Sequence, residues 1–479
     1  MSELANPSTA VHLADFTPLA AAAAIWIASV AYGLVGLRNH PKGLRPLFFT
    51  EMWERFSYYG MRALLLLYMR LPVADGGLGF TLERAGLIYG AYTFLVYAFS
   101  VPGGWAADKF LGYRRAIALG GVLIAAGELG LAAGPVWLFY AGLALIVMGT
   151  GLLKTNCTTL VGLLYPEKDP RQDAGYSIYY MGINIGALVA PLVLGFMAQE
   201  PHFVNALGAI GLGSANGWRW AFGGAGVAMM LGLVQYALQQ KHLGEAGRQA
   251  GARRAADAAP HPPLTHEERQ RVWVVAILVV FIMTFFFVFE QAGTTLNLFA
   301  DDHTRCEILG WTFPSSWFQS VNSIWLLMIT PLISALWIKL GKREPSSPMK
   351  FTLGLFFVGL GMLLLVPPSF AFQANPAFKV SPWWLIGVYL LHTIGELCLS
   401  PVGLSTVSKL APPRFAGQLM GVFFFAIGAG NMLAGFAGSI SDTMKPSTLF
   451  LGLFVITTVM ALALVAMSPR IKRMMGEVS

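Results

Sequence analysis

The stretch Glu51-Met52-Trp53-Glu54-Arg55-Phe56-Ser57-Tyr58-Tyr59-Gly60, followed by Met61, Arg62 and a run of leucines, decides the fold of this 479-residue chain. At about 100° per helical residue, Glu51, Glu54, Arg55, Tyr58 and Arg62 share one stripe, and the other faces are apolar. A charge at bilayer depth costs about 2.5 to 3.5 kcal/mol on insertion scales, so such a stripe suits a bundle interior that lines a watery cavity. On a soluble helix the Glu51 and Arg55 spacing would be only a surface pair worth roughly 0.2–0.5 kcal/mol. The continuation through Leu64 to Tyr68, and a dozen further apolar segments, argue for the membrane.

Composition agrees, with 56% hydrophobic residues, 12% charged residues, 33 Phe and a mean hydropathy of +0.61. The apolar runs last about twenty residues, the length that crosses a hydrocarbon core of about 30 Å, which excludes a β-barrel with its alternating ten-residue segments. The net charge of +8 would suggest nucleic acid in a soluble protein. Its distribution says otherwise. If the loop after the first signature helix faces out, Arg70, Arg84, Arg219, Arg305, Lys379 and Lys445 lie outside, and Arg55, Arg62 and Lys154 lie in the membrane. The other 23 of 32 basic residues are then cytoplasmic, and the positive-inside rule sets the orientation. Cys157, Cys306 and Cys398 cannot form a disulfide framework, and the sequence holds no metal-ligand cluster.

Along the chain, residues 1–16 read as a disordered tail and about 17–37 as an extra apolar helix. A surface-lying or re-entrant helix is the alternative for 17–37. Together, 1–44 form an N-terminal extension. Core helices are expected at about 45–71, 82–106, 114–134, 136–164, 173–199 and 219–239. A second six are expected at about 272–300, 314–341, 348–369, 381–410, 415–441 and 447–468. These give an N-terminal six-helix bundle at 45–240 and a C-terminal bundle with a short cytoplasmic tail at 272–479. Between them 241–271 is a basic, Ala/Gly/Pro-rich cytoplasmic linker containing Pro260-His261-Pro262-Pro263.

ExxERFxYYG at 51–60 resembles the first-helix signature of the proton-coupled oligopeptide transporter family of the major facilitator superfamily. Gly149-Thr150-Gly151-Leu152-Leu153-Lys154-Thr155-Asn156 and Tyr179-Tyr180-Met181-Gly182-Ile183-Asn184-Ile185-Gly186 also match that family, and the resemblance covers roughly residues 45–470. It implies an all-α polytopic protein with the major facilitator fold: two six-helix bundles, inverted repeats and alternating access about a midplane site. Gly104 to Arg115 resembles the facilitator loop GxxxDxxxGxxR, in which Asp108 and Gly112 would serve gating, Gly112 by permitting the tight turn.

The intramembrane ionisable set is Glu51, Glu54, Arg55, Arg62, Glu128, Lys154, Glu290, His392 and Glu396. With His392 neutral, five acids face three bases, so an acid in excess is a candidate proton carrier. Glu290 lies in the most aromatic run of the chain, where an ionised carboxylate is costly. Lys154 reads on spacing alone either as a snorkelling helix-end lysine or as a site residue. His392 reads as a core histidine, and Glu128 has no assigned role.

The resemblance implies that Glu51, Glu54, Arg55, Arg62, Lys154 and Glu290 couple protons, with Glu290 pairing to Arg62. It further implies that Arg55 and Lys154 hold a substrate carboxylate, while Glu396, Asn184 and Asn322, with Ser400 nearby, receive its amino terminus. Tyr58, Tyr59 and Tyr97 offer hydroxyls to the same cavity, each reading either as a ligand contact or as core packing, and Pro401 would kink the helix behind Glu396. The expected activity is inward symport of di- and tripeptides with protons, by a monomer in the inner membrane with cytoplasmic linker and C-terminus. No enzyme activity, metal or cofactor beyond the coupling proton is expected. The alternatives are transport of nitrate or another small anion, and a non-transporting peptide sensor.

Overall fold

The structure, a computed structural model, describes residues 17–166, 169–209, 216–248, 264–375, 377–412 and 415–476. The expected tail at 1–16, the Pro260–Pro263 run with most of the linker, and Lys168 and Arg414 lie outside the described residues. The helices are α1 (Thr17–Gly36), α2 (Leu44–Arg70), α3 (Leu82–Ala98), α4 (Ser100–Ala106), α5 (Tyr113–Ala133), α6 (Val136–Gly162), α7 (Gln172–Gln199), α8 (Pro201–Ala209) and α9 (Gly217–Gln239). They continue with α10 (His266–Phe289), α11 (Thr295–His303), α12 (Phe318–Leu340), α13 (Ser347–Leu364), α14 (Val366–Ala374), α15 (Pro382–Leu410), α16 (Ala416–Ser439) and α17 (Pro446–Met475).

Among the described residues, 12 helices are long and apolar enough to cross a membrane, α1 included. The charged helix α2 is not one of them, yet its 27 residues span about 40 Å.

Three expected single helices are interrupted, and proline chemistry explains two of the breaks. A proline clashes with the carbonyl four residues back. Pro102 therefore ends α3 at Ala98, and Pro367 and Pro368 end α13 at Leu364. The helix expected at 272–300 stops at Phe289, passes through a 3₁₀ turn at Glu290–Gly293 and restarts as α11. Gln291 holds that turn: its Oε1 accepts from the Thr294 and Thr295 hydroxyls at 3.0 and 2.7 Å, and its Nε2 donates to the Phe287 carbonyl at 3.0 Å.

The described residues pack as two compact units. The first draws on Met1–Gly79, Phe110–Ala250 and Thr312–Ser320, the second on Phe80–Lys109, Gly251–Trp311 and Val321–Ser479. In the first, α2 packs on α7 and α9, and α5 packs on α6 and α9. Its core joins Leu44, Phe48 and Met52 of α2 to Ile124, Leu153, Cys157, Tyr179 and Met229. Helix α1 rests on α7, and Trp26 meets Trp53 with ring centroids 5.4 Å apart. In the second, α10 packs on α16 and α17, and α13 on α15 and α17.

Residues 80–109 pack within the second unit. Small residues permit the close approach there. Helix α3 presses on α16 so closely that a methyl added at Gly86 would lie 2.5 Å from the Ser439 nitrogen, and one at Gly90 would lie 2.9 Å from the Met432 oxygen.

Candidate functional site

The α2 stripe is buried, not lipid-facing. Glu51, Glu54 and Arg55 are 1%, 0% and 2% exposed. Arg55 grips Glu54 with two hydrogen bonds, one from Nε and one from Nη2 to Oε1 at 2.7 Å, and its Nε lies 3.3 Å from Oε1 of Glu51. The other Glu51 oxygen accepts the Tyr179 hydroxyl at 2.6 Å, and Tyr179 also lies 3.3 Å from the Thr158 hydroxyl. One guanidinium thus bridges two carboxylates. Buried charge is tolerable only when paired and hydrogen-bonded, which this network achieves.

The neighbouring aromatics extend it. The Arg55 guanidinium lies 5.1 Å from the Tyr58 ring and 5.9 Å from Tyr59, and the Arg62 guanidinium is also 5.9 Å from Tyr59. Tyr59 is therefore a π-face shared by two cations. Lys154 lies half-buried on α6. Asn184 belongs to this unit as well, and its amide donates to the Tyr180 carbonyl one turn back at 3.0 Å.

In the second unit, Glu396 and Asn322 meet. Asn322 Nδ2 donates to Glu396 Oε2 at 3.1 Å and to the Thr393 hydroxyl at 2.9 Å. Glu290 is 4% exposed at the helix break. Ser400 is half-buried one turn after Glu396, and α15 runs through Pro401 unbroken. Tyr97 packs its Cβ against Gly428 of α16. His392 occupies a core position, 1% exposed with its ring 6.0 Å from Phe289.

At the loop after α4, residues Ala107–Leu111 form a π-helical turn carrying the exposed Asp108, a device often found at functional positions. Gly112 has φ +73°, the left-handed region that a side chain resists. Arg114 then donates to the carbonyls of Gly244 and Ala246 (2.8 Å to the latter) and pins the start of α5 to the segment after α9.

Residue-by-residue reading missed three participants. Tyr179 lay inside a quoted motif without a role, and its only signal was a hydroxyl on the buried face of α7. Thr393 and Ser57 were invisible because their partners, Asn322 and Glu128, come from other helices.

Comparison with known proteins supplies the family. The model of the POT family matches residues 114–254 and 263–456, a region beyond the α2 signature. A transporter of Bacillus subtilis called YclF, uncharacterised by its own name, is 37% identical over 92% of this chain and 96% of its own. The peptide transporter YePEPT of Yersinia enterocolitica is 34% identical with the same coverage, and a di-/tripeptide transporter of Lactococcus lactis is 32% identical over 81% of this chain and 87% of its own. A crystal structure of a peptide transporter POT with sulfate superposes with a TM-score of 0.82 at 36% identity, over 91% of this chain and 96% of that one. A POT family transporter crystallised with a thioalcohol-conjugated peptide gives 0.81 at 31%, over 91% and 98%. Their extent, together with the buried carboxylate–arginine cluster, identifies this multi-pass membrane protein as a member of the POT family of transporters.

Proposed function

We propose that this chain imports di- and tripeptides by proton-coupled symport through alternating access. The observation that carries the reading is Arg55 held between Glu51 and Glu54 in a buried cluster. Such a cluster can exchange a proton for an ion pair, and with Lys154 it offers two cations to a peptide carboxylate. Glu396, oriented by Asn322, takes the peptide ammonium group, with Asn184, Ser400, Tyr59 and Tyr97 as further contacts. Clamping the two termini leaves the side chains free and explains a broad peptide range. Glu290 is the acid that trades its proton against Arg62, and Asp108 with Gly112 serves gating. A site built for an anion alone would have no use for the acids Glu51, Glu54 and Glu396.

The protein acts as a monomer in the inner membrane, with linker and C-terminus in the cytoplasm, and needs no cofactor beyond the coupling proton. Uptake of labelled dialanine into reconstituted vesicles under an inward pH gradient tests the reading. Accumulation above the external concentration is expected, and binding without uptake would make the chain a sensor instead.

A further inference from the structure

Glu128 is the one intramembrane acid left without a task. It sits 15 residues into α5, is 0% exposed, and its Cβ would lie 3.3 Å from a methyl placed on Gly226 of α9. One carboxyl oxygen accepts the hydroxyl of Ser57 on α2 at 3.0 Å. The other oxygen is buried and has no hydrogen-bond partner among the described residues.

The charged and titratable groups on the packed elements are Arg45, Glu51, Glu54, Arg55, Tyr58, Tyr59, Arg62, Tyr68 and Arg70 on α2, Tyr140, Lys154 and Cys157 on α6, Arg219 and Tyr236 on α9, and Tyr113, Arg114 and Arg115 at the far end of α5. None of the basic groups among them forms an ion pair with Glu128. Arg114 lies about 20 Å away along the helix. Acidic side chains are almost never fully buried unless paired, and an ionised Glu128 would face this buried junction with a single hydroxyl for support.

We infer that Glu128 is a further proton-binding residue of the transporter: it rests as the uncharged acid, tied through Ser57 to the turn of α2 that carries Glu54 and Arg55. Ser57 follows Glu54 by three residues and Arg55 by two, so the Glu128 tether ends within the turn that holds the cluster. The proton on Glu128 sets how that turn is held, which makes Glu128 a positioning residue for proton coupling. The inference rests on the symport reading for its consequence but not for its protonation state, and the test separates the two.

Infrared spectroscopy of the purified full-length protein should show, at neutral pH, a carboxylic-acid carbonyl band that is absent from Glu128→Gln and present in Glu51→Gln. This arm needs no substrate. Absence of a band assignable to Glu128 in the wild type overturns the inference, whatever the transporter carries. In vesicles, Glu128→Gln preserves shape and neutrality, so it should fold and support peptide counterflow. The pH midpoint of its gradient-driven uptake should shift by about one unit, the scale on which coupled acids titrate together, and Ser57→Ala should shift it in the same sense. Counterflow retained with a pH profile identical to wild type in both variants would reduce Glu128 to a packing residue and overturn its coupling role.

Discussion

Tyr179 of α7 donates its hydroxyl to Oε2 of Glu51 on α2 at 2.6 Å, while Glu51's other oxygen lies 3.3 Å from the Arg55 guanidinium. Two of the three helices that carry family motifs are thereby joined through the carboxylate that would change partners during proton exchange. Hydrogen bonds to charged groups contribute about 1.5–3 kcal/mol. Tyr179→Phe should therefore fold and remain monodisperse but lower peptide uptake by roughly tenfold or more. Uptake at the wild-type rate would show that the Tyr179 hydroxyl is dispensable to the cluster.

Lys154 and Arg55 are assigned to the peptide carboxylate, and Lys154 is the cleaner probe because Arg55 also holds two acids together. Lys154→Ala should weaken peptide binding by roughly 1.5–3 kcal/mol, measured by calorimetry or thermal shift with dialanine. Arg55→Lys should fail as well, since a point charge cannot reproduce the two-pronged grip on Glu54. Unchanged affinity in Lys154→Ala refutes the assignment.

Glu396, held by Asn322 at 3.1 Å, is assigned to the peptide ammonium group. N-acetylated dipeptides should compete poorly with free ones for wild-type uptake. In Glu396→Gln that discrimination should largely vanish. Equal competition in the wild type would remove Glu396 from the substrate contacts.

Just after α1, His40 Nδ1 is hydrogen-bonded to the Tyr165 hydroxyl at 2.8 Å, beside the Asp169–Arg171 pair. Burial first, and then the Arg171 charge, hold His40 below its usual value of 6.5, with Asp169 opposing. A depressed histidine favours the neutral form in the folded protein, so its contribution is complete above pH 6.5 and is lost as pH falls below that value. In a histidine NMR titration, Arg171→Ala should move His40 upward, because it removes a repelling cation and frees Asp169. A downward or absent shift would contradict this electrostatic account.

The bundle fold was legible because membrane helices must satisfy their own backbones over about twenty apolar residues, a signal carried within each segment. Glu51, Glu54 and Arg55 were legible for the same reason, since i, i+3 and i+4 spacing places them together before any tertiary contact forms. Local chemistry also foretold the positive φ at Gly112. The Tyr179–Glu51, Asn322–Glu396 and Ser57–Glu128 bonds join residues 128, 74 and 71 positions apart, and no periodicity within one helix encodes such pairings. The assignment of residues 80–109 to the second unit was hidden likewise, because it depends on Gly86 and Gly90 meeting α16.

The central claim is that a peptide and a proton enter together, and the most direct test records the proton. Vesicles containing the purified protein and a pH-sensitive dye, with the membrane potential clamped and no initial pH gradient, should acidify inside when dialanine is added outside. Acidification should be absent with N-acetylated dialanine, and Glu290→Gln should exchange peptide without moving protons. Entry of labelled dialanine with no change in internal pH would contradict the account. Internal acidification by Glu290→Gln equal to wild type would transfer the coupling role from Glu290 to Glu51 and Glu54.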